Sequence, residues 1–267
     1  MKNLLASSSL LLSCLLHAGE SGIAQFDTAS NWTGFYIGGS LGGVWNTFHG
    51  SVADAPYIDN SGVFFPSFAQ PYNANQNAFT GGVQVGYLYQ NNHLVFGTEL
   101  NLLGMNLKNT HTLRADEVGQ FINIFKSGDS FSSQIDWQAS WVGRLGYQIQ
   151  NWMFYGLGGV AVMQAKISSD ITNFVDDEGT LFPASQGSDK KTLTGATVGL
   201  GADYALGSSY RIGLEYRYTD FGNHQYDVGQ NAVSSLPSGF IFTNLIASQR
   251  VANNMVLLHF VYVFKNV

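Results

Sequence analysis

The most constraining feature of this sequence is a two-residue alternation that places aromatic and charged side chains on opposite faces of the same stretches. In the stretch 132–149, Trp137 and Trp141 fall on one face, whereas Asp136 and Arg144 fall on the other. Period-two alternation is typical of β-strands, because successive side chains of a strand point to opposite sides of the sheet. The chain is therefore expected to form a sheet with one apolar face and one ionic face.

Eight such stretches follow one another, each long enough to cross a bilayer as a tilted strand. They span residues 34–46, 78–90, 93–107, 132–149, 152–166, 192–205, 209–222 and 253–264. Minimal turns at Asn91-Asn92, Gln150-Asn151 and Gly207-Ser208 alternate with long polar segments near 47–77, 108–131, 167–191 and 223–252. This alternation of short and long connections predicts an all-β, eight-stranded antiparallel up-and-down transmembrane β-barrel with four long external loops and three short periplasmic turns.

The size of the barrel indicates which face lies outside. An eight-stranded barrel has an interior just wide enough to be filled by side chains. A barrel in lipid would turn the aromatic face outward, and four acids and three arginines would then have to pair with one another inside it. The residues predicted to form this charge network are Glu99, Asp136, Arg144, Asp203, Arg211, Glu215 and Arg217. The alternative is a water-soluble sandwich with the charged face in solvent.

Composition supports the membrane interpretation. Only 11% of the residues are charged, against roughly a quarter in ordinary soluble domains. After the N-terminus no apolar run reaches the ~20 residues that a spanning helix needs. The formal net charge is −6 and basic clusters are absent from the sequence, which argues against nucleic acid as a partner. The 31 glycines fit strands that curve around a narrow barrel.

The first 24 residues have the pattern of a secretory signal peptide. Lys2 precedes an apolar run from Leu4 to Leu16, and Gly22 and Ala24 supply small residues before a cleavage site after Ala24. Lipidation at Cys14 is an alternative. The mature chain, 25–267, is expected to be one barrel domain without cysteine.

The last strand ends in alternate aromatic residues. Phe260, Tyr262 and Phe264 form an apolar face near the C-terminus, which resembles the terminal strand by which outer-membrane proteins are recognised for assembly. Three residues follow Phe264, where the usual pattern ends on the aromatic itself.

Two segments resemble a known family. Residues 31–39, Asn-Trp-Thr-Gly-Phe-Tyr-Ile-Gly-Gly, and residues 215–222, Glu-Tyr-Arg-Tyr-Thr-Asp-Phe-Gly, look like small outer-membrane β-barrel proteins of the porin-like surface-antigen group. This group is related in fold to the transmembrane part of OmpA and to the opacity proteins. The resemblance implies a bacterial outer-membrane location, periplasmic termini and roles in envelope integrity, adhesion or immune recognition, with hemin binding or small pores in some branches.

The sequence gives no enzyme signature, so a non-catalytic barrel without cofactor or metal is expected. Histidines at 49, 93, 111, 224 and 259 form no compact His-x-Ser arrangement. The acidic run 176–178 lacks the ligand spacing of a calcium loop.

The leading hypothesis is a structural barrel that presents its loops to a host or surface ligand. Its expected partners are outer-membrane lipids, lipopolysaccharide and the barrel assembly machinery. A narrow pore is the alternative, and the balanced charges of the interior are an obstacle to it. Hemin capture by an aromatic loop is the third possibility, and that loop contains Tyr57, Phe64, Phe65, Phe68 and Tyr72.

Overall fold

The computed structural model describes residues 30–54, 56–58, 62, 64–65, 69–113, 127–172, 174–175, 181–236 and 239–264. The predicted signal peptide, the acidic run 176–178 and Phe68 lie outside these residues. Twelve β-strands are found in the described part of the chain: β1 (Gly34–Asp54), β2 (Tyr57–Ile58), β3 (Phe64–Phe65), β4 (Ala69–Asn91), β5 (Leu94–Thr112), β6 (Ser130–Ile149), β7 (Trp152–Ile171), β8 (Phe174–Val175), β9 (Leu181–Phe182), β10 (Ser185–Ala205), β11 (Tyr210–Leu236) and β12 (Gly239–Val263). None of the described residues forms a helix that is long and apolar enough to span a membrane.

Eight of the strands close into one antiparallel barrel in the order β1-β12-β11-β10-β7-β6-β5-β4. Each strand pairs with its neighbour in the chain, and β1 pairs with β12 from Tyr36 opposite Val263 to Asp54 opposite Leu245. Closure satisfies the backbone hydrogen bonds of the first and last strands, so that no open edge is exposed to lipid. The prediction of an eight-stranded antiparallel β-barrel is confirmed.

Short turns and both ends of the described chain lie at one end of the barrel. Residues Asn92 and Gln150 adopt φ values of 55° and 56° in the turns β4–β5 and β6–β7, and Gly207 has φ of 87° between β10 and β11. The three predicted turns are confirmed. In outer-membrane barrels such turns face the periplasm, and the opposite end faces the outside.

The strands run much further outward than the sequence predicted. They contain 19 to 27 residues, whereas about 9–11 tilted residues cross a bilayer. The predicted loops 47–77, 108–131, 167–191 and 223–252 are therefore too wide: β1 continues to Asp54, β6 begins at Ser130, and β11 ends at Leu236 just before β12 begins at Gly239. Two small hairpins, β2–β3 and β8–β9, lie in the first and third of these connections.

The wall reverses its polarity along the barrel axis, which explains why the outer half was predicted as loop. Next to the short turns, large apolar side chains face outward, among them Leu41 (72% exposed) and Leu200 (66%). In the outer half many outward positions are polar, as at Lys166 and Ser188. The inward positions there are buried and combine a large apolar set with polar side chains such as Gln138 and Asn253. The buried set includes Leu103, Met105, Leu107, Phe131, Ile135, Met163, Ile167, Leu193, Tyr226, Leu245 and Val251. The outer half is thus built like a soluble barrel that stands above the lipid.

Candidate functional site

The ionic cluster of the barrel interior is the most distinctive arrangement of polar side chains in the described residues. Five inward positions on four strands supply its charges: Glu99 on β5, Arg144 on β6, Asp203 on β10, and Glu215 and Arg217 on β11. Each of these residues is at most 4% exposed. The two-residue alternation turns these five side chains inward. The register of the strands places them at a similar level along the barrel axis.

Glu215 is the centre of the cluster because it contacts both arginines. Its Oε2 accepts a hydrogen bond from Arg144 Nη2 at 2.8 Å, and its Oε1 accepts two from Arg217, from Nε at 2.9 Å and from Nη2 at 2.5 Å. Glu99 is the second shared acceptor, 2.8 Å from Arg144 Nη2 and 3.4 Å from Arg217 Nη2. Two carboxylates and two guanidinium groups therefore form one closed set of charges.

Neutral side chains complete the hydrogen bonding of this set. The hydroxyl of Tyr36 donates to Glu99 at 2.8 Å, and the hydroxyl of Tyr155 donates to Glu215 at 2.9 Å. Arg217 Nη1 donates to Ser140 Oγ at 2.7 Å. Arg144 also stacks its guanidinium over the Tyr155 ring, 4.5 Å from the centroid. Buried charges are tolerated only when they are paired and hydrogen-bonded. The contacts above give most of the charged atoms of the cluster a hydrogen-bond partner.

Asp203 continues the cluster toward the short-turn end. Its Oδ2 lies 3.8 Å from Arg144 Nη1, and its Oδ1 lies 2.8 Å from Nε2 of His259 on β12. His259 is buried on the inward face of β12, and no pattern in the sequence indicates Asp203 as its partner. Tyr36 and Tyr155 were also missed, because an aromatic residue on an inward face carries no pattern that marks it as a hydrogen-bond donor.

Arg211 lies in the barrel interior but apart from the other charges. It is 3% exposed, and its guanidinium stacks on the indole of Trp32, 4.4 Å from the ring centroid. Its Nη2 also donates to the Asn31 carbonyl oxygen at 3.5 Å. The interaction of a cation with an aromatic face replaces part of the lost hydration.

The placement of Asp136 in the charge network is wrong. A β-bulge interrupts the pairing of β6 with β7 between Ile135 and Gln138, and both of these residues are buried, while Asp136 is exposed. The bulge adds one residue between two inward positions and so reverses the phase of the alternation. Of the seven residues predicted to form the network, three acids and three arginines therefore lie in the interior.

The segment before β1 closes the short-turn end of the barrel. Trp32 is fully buried, and its backbone N–H donates to the side chain of Gln90 at 2.7 Å. Gln148 donates from its side chain to the carbonyl oxygen of Ser30 at 2.8 Å. Residues 30–33 therefore lie across the mouth, with the indole as the stopper.

Apolar layers fill the interior on both sides of the ionic cluster. Near the short turns they include Leu88, Val95, Met153 and Val263, and the outer half holds the larger apolar core described above. Side chains of both kinds therefore occupy the interior among the described residues, with buried polar groups such as Gln138 and Asn253 between the apolar ones.

The remaining candidate residues are scattered. The ring of His93, in the β4–β5 turn, stacks on Tyr147, and His224 Nε2 lies 2.7 Å from the Phe221 carbonyl oxygen. No group of three or more His, Cys, Asp or Glu side chains that could hold a metal occurs in the described residues. The alternate aromatics Phe260 and Tyr262 of β12, and Phe264 directly after it, face outward with 39–50% exposure.

These features define a class of protein: a closed β-barrel with an apolar outer belt, aromatic side chains near its short-turn end and a polar, side-chain-filled interior. Residues 8–264 match the family described as outer membrane protein beta-barrel domain, and the chain belongs to this family. It is accordingly a protein of the bacterial outer membrane.

One curated relative and several solved structures are similar to the chain. The 22 kDa outer membrane protein of Rhizobium leguminosarum bv. viciae is 27% identical over 211 residues, which cover 79% of this chain and 74% of that protein. Ail, the attachment invasion locus protein of Yersinia pestis, is 12% identical with a TM-score of 0.30, covering 83% of this chain and 99% of Ail. The outer membrane protease OmpT of Escherichia coli is 9% identical with a TM-score of 0.44, covering 90% of this chain and 100% of OmpT.

Proposed function

We propose that this protein is a closed structural barrel whose outer half presents a contact surface to the surroundings of the cell. The observation that carries the proposal is the filling of the interior by side chains from the Trp32 stopper through the ionic cluster to the outer apolar core. A barrel filled in this way has a rigid wall and no channel. Its role is therefore one of envelope integrity and surface interaction, such as adhesion or antigen display, without catalysis.

The hairpin β2–β3 supports the surface role. It lies in the connection between β1 and β4, and its residues Ile58 and Phe64 are 61% and 62% exposed. Leu181, in the hairpin β8–β9, is 56% exposed. Exposed apolar side chains beyond the lipid are typical of interaction sites.

An attachment assay tests the surface role. Cells that display the wild-type protein or the double variant Ile58→Ser/Phe64→Ser are compared on surfaces coated with host matrix proteins, with the wall variant Ile246→Ser as control. We expect the double variant to lose attachment and the control to keep it. Equal attachment by all three proteins would contradict a role for the hairpin.

The same exposed hairpin is compatible with capture of a flat apolar ligand such as hemin. Titration of refolded protein with hemin tests this second candidate. A Soret shift that is lost in the double variant would favour ligand capture, and no shift in the wild type would exclude hemin.

A further inference from the structure

A row of lysines crosses the outward face of four neighbouring strands in the outer half of the barrel. The register places Lys108 of β5 opposite Gln134 of β6, Gln134 opposite Lys166 of β7, and Lys166 opposite Lys190 of β10. All three lysines are exposed. Neighbouring strands are about 4.8 Å apart, so the row places three positive charges within about 15 Å of wall. We call these four residues the lysine row.

The three lysines of the row have no carboxylate partner in the part of the chain that the structure describes. The ion pairs outside the barrel interior, in the described residues, join Lys191 to Asp189 and Arg250 to Asp220. Asp136 lies on the same face as Gln134 and accepts a hydrogen bond from its side chain at 2.8 Å, but it pairs with none of the three lysines. Like charges directly opposite on adjacent strands destabilise a sheet, as with Lys166 and Lys190. An anion between them would remove this repulsion.

A polar depression adjoins the row on β6, β7 and β10. Its volume is about 440 Å³, and its lining includes Lys166, Ser132, Ser168, Ser188 and Gln186. Asp170, at the far side, accepts a hydrogen bond from Gln186 Nε2 at 3.2 Å. Hydroxyl and amide groups around a concave surface are suited to bind the hydroxyls of a sugar.

The height of the row matches the headgroup region of the outer leaflet. On β6, Trp137 lines an apolar groove on the outer surface with Val83 and Leu102, and Gln134 is three residues further out, or about 10 Å along the strand. On β7, Val160 is 49% exposed and Lys166 is six residues beyond it. A ligand that reaches both the apolar belt and the row needs an apolar part below and an anionic part above.

We propose that the lysine row and the adjoining depression bind the phosphorylated sugar headgroup of a glycolipid in the outer leaflet, such as lipopolysaccharide. Lysine binds phosphate as a point charge, the serines face the sugar, and the acyl chains lie against the apolar belt. This inference depends on the outer-membrane location and is independent of the hairpin β2–β3, so failure of either proposal leaves the other in place.

The test compares unfolding of the refolded full-length protein in three kinds of vesicle. These contain phosphatidylcholine alone, phosphatidylcholine with lipopolysaccharide, or phosphatidylcholine with lipopolysaccharide stripped of its phosphates. The variant is Lys108→Gln/Lys166→Gln/Lys190→Gln, and the matched control is Lys191→Gln, which removes a lysine outside the row. The readout is the urea concentration at the midpoint of unfolding. Unfolding is monitored by the change in gel migration.

We expect lipopolysaccharide to raise the midpoint of the wild type and of the control, and the triple variant to lose more than half of that rise. The phosphate-free glycolipid should give little rise. In phosphatidylcholine alone the triple variant should be at least as stable as the wild type, because the Lys166–Lys190 repulsion is gone.

Three results would overturn the proposal. The first is an equal rise in the wild type and the triple variant, and the second is an equal rise with and without phosphate on the glycolipid. The third is full reproduction of the rise by millimolar inorganic phosphate in plain vesicles, which would assign the row to free phosphate. If the triple variant fails to fold, the single variant Lys166→Gln is measured, and it too should lose part of the rise.

Discussion

At the scale of single residues, Glu215 shows how a charge can be kept inside a barrel. It accepts hydrogen bonds from Arg144, Arg217 and Tyr155, so that one carboxylate contacts two buried guanidinium groups. Such a pair adds little relative to an apolar core of the same shape, but the loss of one partner leaves the other charge buried and uncompensated. The position is therefore sensitive to change even though it is remote from any surface.

We predict that Glu215→Gln lowers the free energy of unfolding by about 3–5 kcal/mol, the cost of breaking a buried ion pair. Arg217→Ala should act in the same direction. The measurement is the urea midpoint in phosphatidylcholine vesicles. The control is Asp136→Asn, which removes a carboxylate from an exposed position and should change the stability by less than about 0.5 kcal/mol. If Glu215→Gln and Arg217→Ala both unfolded at the same urea concentration as the wild type, the network would not be needed for stability.

A second residue-scale prediction concerns Asp220 and Arg250, which lie beyond the apolar belt. The hydrogen bond from Arg250 (2.7 Å), together with that from the Gly222 backbone N–H, lowers the pKa of Asp220 below its ordinary value. A lowered folded-state pKa gives stability that is present above the unfolded-state pKa and is lost as the pH falls through the folded-state value.

We therefore expect Arg250→Gln to raise the pKa of Asp220, measured by NMR titration of its carboxyl carbon. The stability difference between this variant and the wild type should shrink as the pH is lowered through the Asp220 titration. A difference that is constant over this range would show that the pair is not linked to folding.

At the scale of elements, close contacts between strands decide where glycine is required. On β7, a Cβ at Gly159 would lie 2.0 Å from the backbone oxygen of Trp141, whereas a Cβ at Gly158 would lie 4.0 Å from its nearest neighbour, the oxygen of Thr197. Gly159 is on the inward side of a strand that curves tightly around the barrel, and Gly158 faces outward. The two neighbours therefore make a matched pair.

We predict that Gly159→Ala destabilises the barrel by about 1–3 kcal/mol or more, as overpacking does, and that Gly158→Ala has little effect. Refolding yield and urea midpoint in the same vesicles give the comparison. If the two variants behave alike, the curvature of β7 does not impose the glycine.

At the scale of the whole molecule, the two polarities of the wall divide the barrel into a membrane half and a projecting half. The outward row of lysines, serines and threonines on β7 and β10 would not be stable in hydrocarbon, and the inward apolar core beneath it needs no water. The apolar belt therefore fixes the depth of the barrel in the bilayer.

Cysteine labelling in intact cells tests this placement, because the chain after residue 24 contains no cysteine. We predict that Ser188→Cys reacts with a membrane-impermeant maleimide from outside, and that Asn92→Cys, in the short turn β4–β5, reacts only after the envelope is opened. If both cysteine variants were labelled from outside in intact cells, the proposed topology would be contradicted.

Conductance tests the closed interior. We expect no steady single-channel steps from the wild type in planar bilayers, because apolar layers lie on both sides of the ionic cluster. Regular steps that Arg144→Ala or Glu215→Ala abolishes would instead favour the narrow pore.

The sequence by itself determined the strand pattern of the membrane half, the short turns and the inward side of residues such as Glu99, Arg144 and Glu215, because a two-residue alternation depends only on local order. It could not determine the outer half, where a reversed polarity with small polar side chains on the wall looks like loop. Nor could it locate the bulge that turns Asp136 outward. Phe131, Ile135 and Trp137 continue one two-residue alternation of apolar side chains, so the sequence pattern shows no break at the bulge. The partners of His259, the Trp32 stopper and the alignment of three lysines on separate strands were decided only by the tertiary structure, because strand register brings together residues that are distant in the chain.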